Sequence, residues 1–174
     1  VFYKEDKSLY AAGEILIQKD LARTLTLLSE LGPDAFYKGE IAALIVKEME
    51  KNGGLITLQD LKNYNIVERE PIVGDYKDYK IVSMPPSSSG GTHLIQMLNM
   101  LEEFPIKEMG FGSAESIHIL AEVMKRAYAD RSKYLGDTDF YKVPSSLTSK
   151  EYAMSLNAFI SADKITPSEE VSPG

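Results

Sequence analysis

Apolar residues recur at helical three- and four-residue spacing through most of this chain and give way to β-prone runs only near its middle. Residues 1–12 mix polarity with aromatics and read as an edge strand or loop. After Gly13, the positions Ile15, Leu16, Leu21, Leu25 and Leu28 predict a helix to Leu31, which Gly32-Pro33-Asp34 ends. A second helix is expected over 39–52 on the stripe Ile41, Leu44, Ile45 and Met49, with Asn52-Gly53-Gly54 as its stop. Thr57 followed by Asp60 is a capping-box pattern and opens a short helix to Tyr64. The runs 66–72 and 79–84 predict two strands joined by the turn-rich segment 73–78. Pro71 lacks an N–H and demotes the first run to an edge or to an entry into a strand. Leu94, Ile95, Leu98 and Leu101 mark the next helix, broken at Phe104-Pro105. Ser113 caps a long helix carrying Ile117, Leu120, Ala121, Met124, Ala127 and Tyr128 as far as Lys133 or Tyr134. A last helix is expected over 150–160, with Tyr152, Ala153, Leu156 and Phe159 on one side, and residues 161–174 form an extended tail. The pattern is α+β and mainly helical, with residues 1–174 read as one unit, strands at about 66–84 and helices elsewhere.

Composition narrows the partners. A formal charge of −7 and a pI near 4.9, with lysines interspersed among acids, exclude nucleic acid as a ligand. No apolar run is long enough to span a membrane. Val1-Phe2-Tyr3-Lys4-Glu5 has neither an initiator Met nor an apolar stretch. It suggests a partial or processed chain, so the absence of a signal peptide is silent on export. Without cysteine there is no disulfide or thiolate metal site, and only His93 and His118 could supply imidazole.

The chemistry-bearing stretch is Met84-Pro85-Pro86-Ser87-Ser88-Ser89-Gly90-Gly91-Thr92-His93, a strand-to-helix junction. Two readings stand: backbone N–H groups of 89–92 cradle an oxyanion or carboxylate, or a capped helix start uses its glycines to pack closely on a strand. Ser88, Ser89, Gly90 and Gly91 are the candidate wall of a substrate pocket. No G-x-S-x-G elbow is present, which weakens a self-contained serine hydrolase built on Ser87–Ser89 with His93. His93, in the first turn, is expected to be partly buried and hydrogen-bonded, and His118 to be a packing residue. The two histidines lack zincin spacing. Asp130, Asp137 and Asp139 fail the EF-hand pattern, and Asp130-Arg131 with Lys133 reads as a salt-bridged helix end. No metal or cofactor is expected.

Several stretches in fixed order resemble the γ-glutamyltranspeptidase family of N-terminal-nucleophile hydrolases. They are Gly32-Pro33-Asp34-Ala35-Phe36-Tyr37-Lys38-Gly39, Asn52-Gly53-Gly54-Leu55-Ile56-Thr57 with Asp60-Leu61, and Pro71-Ile72 through Gly74-Asp75-Tyr76. The 85–91 run, Ala127-Tyr128-Ala129-Asp130-Arg131-Ser132, and Leu135-Gly136-Asp137 through Asp139-Phe140 complete the set. The resemblance covers nearly the whole chain and implies the C-terminal half of a large subunit, ending a little before the expected processing point. In that family a precursor cleaves itself, and the Thr that becomes the N-terminus of the small subunit is the nucleophile. No Thr here matches that motif, and the arginine that grips the substrate carboxylate lies upstream, so no catalytic residue is assigned within this chain. The implied fold is an αββα sandwich completed by other segments. The implied partners are a small subunit carrying the nucleophile, the N-terminal half of the large subunit, and a small γ-glutamyl substrate. The implied parent moves γ-glutamyl groups to water or amino acids in the periplasm or outside the cell, and this chain alone is expected to be inactive. A related acylase or poly-γ-glutamate depolymerase is the alternative within the family. A non-catalytic acidic helical binding module is the alternative of another class.

Overall fold

The computed structural model describes residues 2–4 and 6–174, so the strand-or-loop expectation at Val1 and Glu5 lies outside the described residues. Where the sequence reading treats the chain as one unit, its residues group into two compact units, 1–67 and 68–174.

In the first unit, Tyr3 and Leu9 form an isolated antiparallel bridge. Four helices follow: α1 (Lys19–Leu31), α2 (Pro33–Tyr37), α3 (Glu40–Asn52) and α4 (Leu58–Asn63). Helix α1 starts later than its apolar spacing predicts. Glu14 is engaged by the Lys4 ammonium at 2.7 Å and the Ala11 N–H at 2.6 Å, closing a turn there. Ile15 and Ile17 are β-branched, and helix begins where Asp20 can face the first-turn N–H groups. Pro33 at the first helical position turns the expected stop into the start of α2. The capping box forms as read: Thr57 Oγ1 accepts the Asp60 N–H at 3.2 Å and Asp60 Oδ2 accepts the Thr57 N–H at 2.8 Å. Thr57→Ala should therefore lower the stability of this unit by about 1 kcal/mol in chemical denaturation followed by circular dichroism, and an unchanged midpoint would refute the cap's role. Among the described residues of this unit, the buried apolar ones are Ala35, Ile41 and Ala42, a thin core for its helices.

The second unit opens with a hairpin, β1 (Ile72–Tyr76) and β2 (Tyr79–Ser83), antiparallel with Ile72 opposite Ser83 and Tyr76 opposite Tyr79. The predicted first strand is displaced. Residues 66–71 are not paired, β1 begins after Pro71, and the turn shrinks to Lys77-Asp78. Lys77 takes a positive φ of 52°, and its N–H is held by Glu102 Oε1 at 2.7 Å, so the turn is fixed from outside the hairpin. Lys150 pairs with the other Glu102 oxygen and donates to Asp75 O at 2.9 Å. The hydrogen bond from Lys150, then that from Lys77, holds the Glu102 carboxyl below its ordinary range.

Helices α5 (Ser89–Leu101), α6 (Ile106–Met109), α7 (Ala114–Tyr134) and α8 (Lys150–Asn157) complete this unit, with 3-10 turns at Ser145–Thr148 and Ser168–Glu170. Helix α5 is central and packs on α7, α8 and the hairpin. Met100, Leu101, Ile119, Val123, Ala127, Ala153 and Leu156 form the core. Helix α7 is rotated relative to its predicted apolar stripe. It buries Ile119, Val123 and Ala127 together with Ser116, Glu122, Arg126 and Asp130, and leaves Ile117, Leu120, Met124 and Tyr128 exposed.

Candidate functional site

The serine–glycine junction is a helix start rather than a loop. Ser88 is the N-cap, its Oγ accepting the Gly90 N–H at 3.4 Å, and Ser89, Gly90 and Gly91 form the first turn of α5. Ser88 and Gly90 are exposed, Ser89 is half-buried, and Gly91 is buried against the hairpin. A Cβ on Gly91 would collide with the Met84 carbonyl oxygen and approach Ile72 Cγ2 to 2.5 Å. That is the close-packing reading of this junction, set by helix against strand. Ser89 Oγ accepts from Arg131 Nε at 3.3 Å.

His93 is buried and packs on the Tyr128 ring at 5.2 Å between centroids, but its Nε2 has no hydrogen-bond partner. Burial, then the Arg131 charge, lowers its pKa against the opposing pull of Asp130, which favours neutral imidazole. Among the described residues no serine hydroxyl bonds to it. The expected hydrogen-bonded state at this nitrogen, and a Ser–His pair built on 87–89, are both absent there. His118 Nε2 donates to Ser161 O at 2.8 Å, tying α7 to the segment beyond α8.

Beside the helix start lies a cavity of about 590 Å³ walled by Pro86, Thr92, Phe140, Tyr141 and Pro144 among others. Two of its lining hydroxyls, Thr92 Oγ1 and Thr138 Oγ1, are buried without partners. Ser88, Ser89, Gly90 and Gly91 do not line this cavity, although Pro86 and Thr92 on either side of them do.

The deepest polar chemistry runs along α7. Asp130 is 1% exposed, and its carboxylate accepts from Gln96 Nε2, from Tyr152 Oη at 2.8 Å and from the Gly174 N–H at 3.0 Å. Burial, then the bond to Asp130, pushes the Tyr152 phenol well above its ordinary range. One turn pair earlier, Glu122 meets Lys125 at 2.7 Å, Arg126 at 2.8 Å and the Thr166 N–H at 3.0 Å. Burial opposes its ionisation, but the bonds from Lys125, Thr166 and Arg126 prevail and draw its pKa down to about 2. The expected salt-bridged helix end at Asp130 is thus corrected. Asp130 takes neutral donors, and the ion pairs belong to Glu122. Asp137 instead caps its own turn through the Asp139 N–H at 2.9 Å, and Asp139 pairs with Arg69 at 2.5 Å, so these three aspartates do not converge.

Residues 1–173 match the family model described as gamma-glutamyltranspeptidase. The chain belongs to the gamma-glutamyltranspeptidase family. Among its relatives, the "Glutathione hydrolase proenzyme" of Escherichia coli K12 is 54% identical over 175 residues, covering 100% of this chain and 30% of that protein. The "Acylase ACY 1 proenzyme" of Pseudomonas sp. strain SE83 is 45% identical over 153 residues, covering 87% of this chain and 27% of that protein. The crystal structure of Helicobacter pylori gamma-glutamyltranspeptidase superposes with a TM-score of 0.92 at 49% identity, covering 99% of this chain and 50% of that one. The chain therefore spans about 30% of the length of the E. coli protein. Its α+β fold is shared with a gamma-glutamyltranspeptidase over almost every residue.

Within this family segment, sequence reading missed Thr92, Gln96, Glu122, Arg126 and Tyr152 as a polar framework. A signal was present. Glu122, Arg126 and Asp130 recur four residues apart, so one face of α7 carries all three charges. Charged residues in that register read as a solvated face until a second element is known to cover them.

Proposed function

We propose that this chain is part of the large subunit of a γ-glutamyl acyltransferase or glutathione hydrolase. The enzyme transfers the γ-glutamyl group of glutathione-like donors to water or an amino acid, through an acyl-enzyme on a threonine outside residues 1–174. The observation that carries this reading is the family match over 1–173 together with 54% identity to a glutathione hydrolase proenzyme. Residues 1–174 contribute scaffold and pocket wall: the corner at Ser88, Ser89, Gly90 and Gly91, with Pro86 and Thr92 beside it, faces the site that the partner completes. The enzyme acts in the periplasm or outside the cell.

Surface area supports the need for partners. Two separate compact domains of these lengths would expose about 10,000 Å², whereas the chain exposes 12713 Å². Leu21 and Leu25 share one face of α1, and Ile117, Leu120 and Met124 share one face of α7, and all five are exposed. A small subunit and the N-terminal half of the large subunit would cover them.

Hydrolysis of γ-glutamyl-p-nitroanilide tests the assignment. Residues 1–174 alone should release no p-nitroaniline above background, and co-expression with the remaining precursor segments should restore turnover. Turnover by the isolated chain would place the nucleophile inside it and overturn the reading. The 45% identity to an acylase proenzyme makes a glutaryl-type amide the donor to compare in the same assay.

A further inference from the structure

The buried carboxylate of Asp130 has no cationic partner among the described ion pairs, yet it is 1% exposed and accepts three hydrogen bonds. One comes from the backbone of Gly174, far along the chain. Tyr134 closes the same grip from the other side, its hydroxyl donating to Gly174 O at 2.6 Å. Both polar groups of Gly174 are thus held by side chains one helical turn apart on α7. The fit accepts glycine alone. A Cβ at 174 would strike Tyr152 Oη, lie 2.9 Å from Tyr152 Cζ and 3.0 Å from Leu156 Cδ2. Tyr152 is in turn locked by Asp130, so it cannot swing aside without losing a buried bond.

We propose that Asp130, Tyr134 and Tyr152 form a backbone clamp that positions the segment after Pro173 for self-processing of the precursor. They act as positioning residues and take no part in the bond changes. The inference rests on the reading above, in which a threonine beyond this segment cleaves the bond before it. In that step the threonine hydroxyl adds to the preceding carbonyl, and the C–N bond breaks to free the threonine amine. Water then hydrolyses the resulting ester to a carboxylate and the regenerated hydroxyl. Such a step needs the attacked carbonyl within reach of the hydroxyl, so slack in the incoming strand slows it. The next anchor upstream is Thr166, bonded to Glu122 and Lys125. Releasing Gly174 therefore frees the chain from there onward. Doubling the free length alone costs about threefold in the population of closed geometries.

The test uses the full-length precursor, its cleavage followed by gel electrophoresis and its melting temperature measured beside it. Gly174→Ala should slow cleavage three- to tenfold while the melting temperature stays within about 2 °C, a split that a merely structural role would not produce. Tyr134→Phe, which removes one hydroxyl from a half-buried ring and cannot unfold the protein, should slow cleavage at least twofold. Asp130→Asn keeps an oxygen for the Gly174 N–H and offers its amide to the unpartnered Gln96 Oε1, so it should cleave faster than Asp130→Ala. Cleavage of both Gly174→Ala and Tyr134→Phe within 1.5-fold of wild type overturns the clamp while leaving the family reading intact. A wild-type precursor that never cleaves overturns that reading and the clamp with it.

Discussion

Replacing Glu122 by alanine should cost the second unit about 3–5 kcal/mol, because it strands the buried Arg126 guanidinium without its counter-charge. Arg126 is 4% exposed and has no solvent to turn to. Its remaining contacts, the residue-122 carbonyl, Phe159 O and Thr166 Oγ1, are neutral acceptors. The loss extends to the tail, since Thr166 donates its N–H to Glu122 and its carbonyl accepts from Lys125, with which Glu122 also pairs. Chemical denaturation of the variant against wild type measures the cost, and a loss below 1 kcal/mol would show the cluster to be incidental. The same group sets an acid limit. Its pKa is about 2 when folded, below the ordinary 4.5, so the unfolded chain binds the proton more readily. The stabilisation is complete above about pH 4.5 and is lost as pH falls toward 2. Unfolding midpoints of wild type and Glu122→Gln should therefore converge across that window. Parallel curves would refute the assignment.

Gly91→Ala and Gly90→Ala should move stability in opposite directions although the residues are neighbours in the same helical turn. Alanine is the better helix former by about 1 kcal/mol at either position. At Gly90 the nearest obstacle to a Cβ is Ser88 Oγ at 3.6 Å, an ordinary contact, so the gain survives as about 0.5–1 kcal/mol. At Gly91 the methyl would meet the Met84 carbonyl and Ile72 Cγ2 at 2.5 Å. A backbone carbonyl cannot rotate away. Helix α5 must lift from the hairpin, and overpacking of this kind costs about 1–3 kcal/mol or more, which outweighs the propensity gain. Because α5 also carries Thr92 at the 590 Å³ cavity, the lift should show as increased amide exchange at the start of α5. Equal shifts for the two alanines would mean that the contact at Gly91 does not set the spacing between helix and hairpin.

The two positions also show how far a sequence can be read. Ser88-Ser89-Gly90-Gly91 announces a capped helix start from composition alone, since the serine oxygen and the missing Cβ are local properties. Which glycine is indispensable depends on what crosses above it, and that is a property of the hairpin 72–83. Helix α7 teaches the same lesson in reverse. Its extent and its Ser113 cap follow from local chemistry, and Ser113 Oγ accepts the Ser116 N–H at 3.1 Å as that pattern requires. Its buried face does not. Apolar spacing points to Ile117, Leu120 and Met124, but burial falls on Glu122, Arg126 and Asp130 with small apolar residues between them. Burying charge is unfavourable unless partners arrive: Glu122 finds Lys125 and Arg126 on α7 itself, and the remaining partners come from the tail and from α5 and α8, far away in sequence.

The sequence by itself determined the helix-dominated α+β class, the hairpin, most helix ends and the family, because caps, turn residues and ordered motifs act within a few residues. The tertiary structure alone decided that Gly91 is the glycine of that helix start which meets the strand, that Glu122 rather than Asp130 anchors the ion pairs, and that Gly174 is clamped by α7. Those outcomes depend on which distant groups share a dry interior, where an unpaired charge or an extra methyl costs more than local propensity supplies.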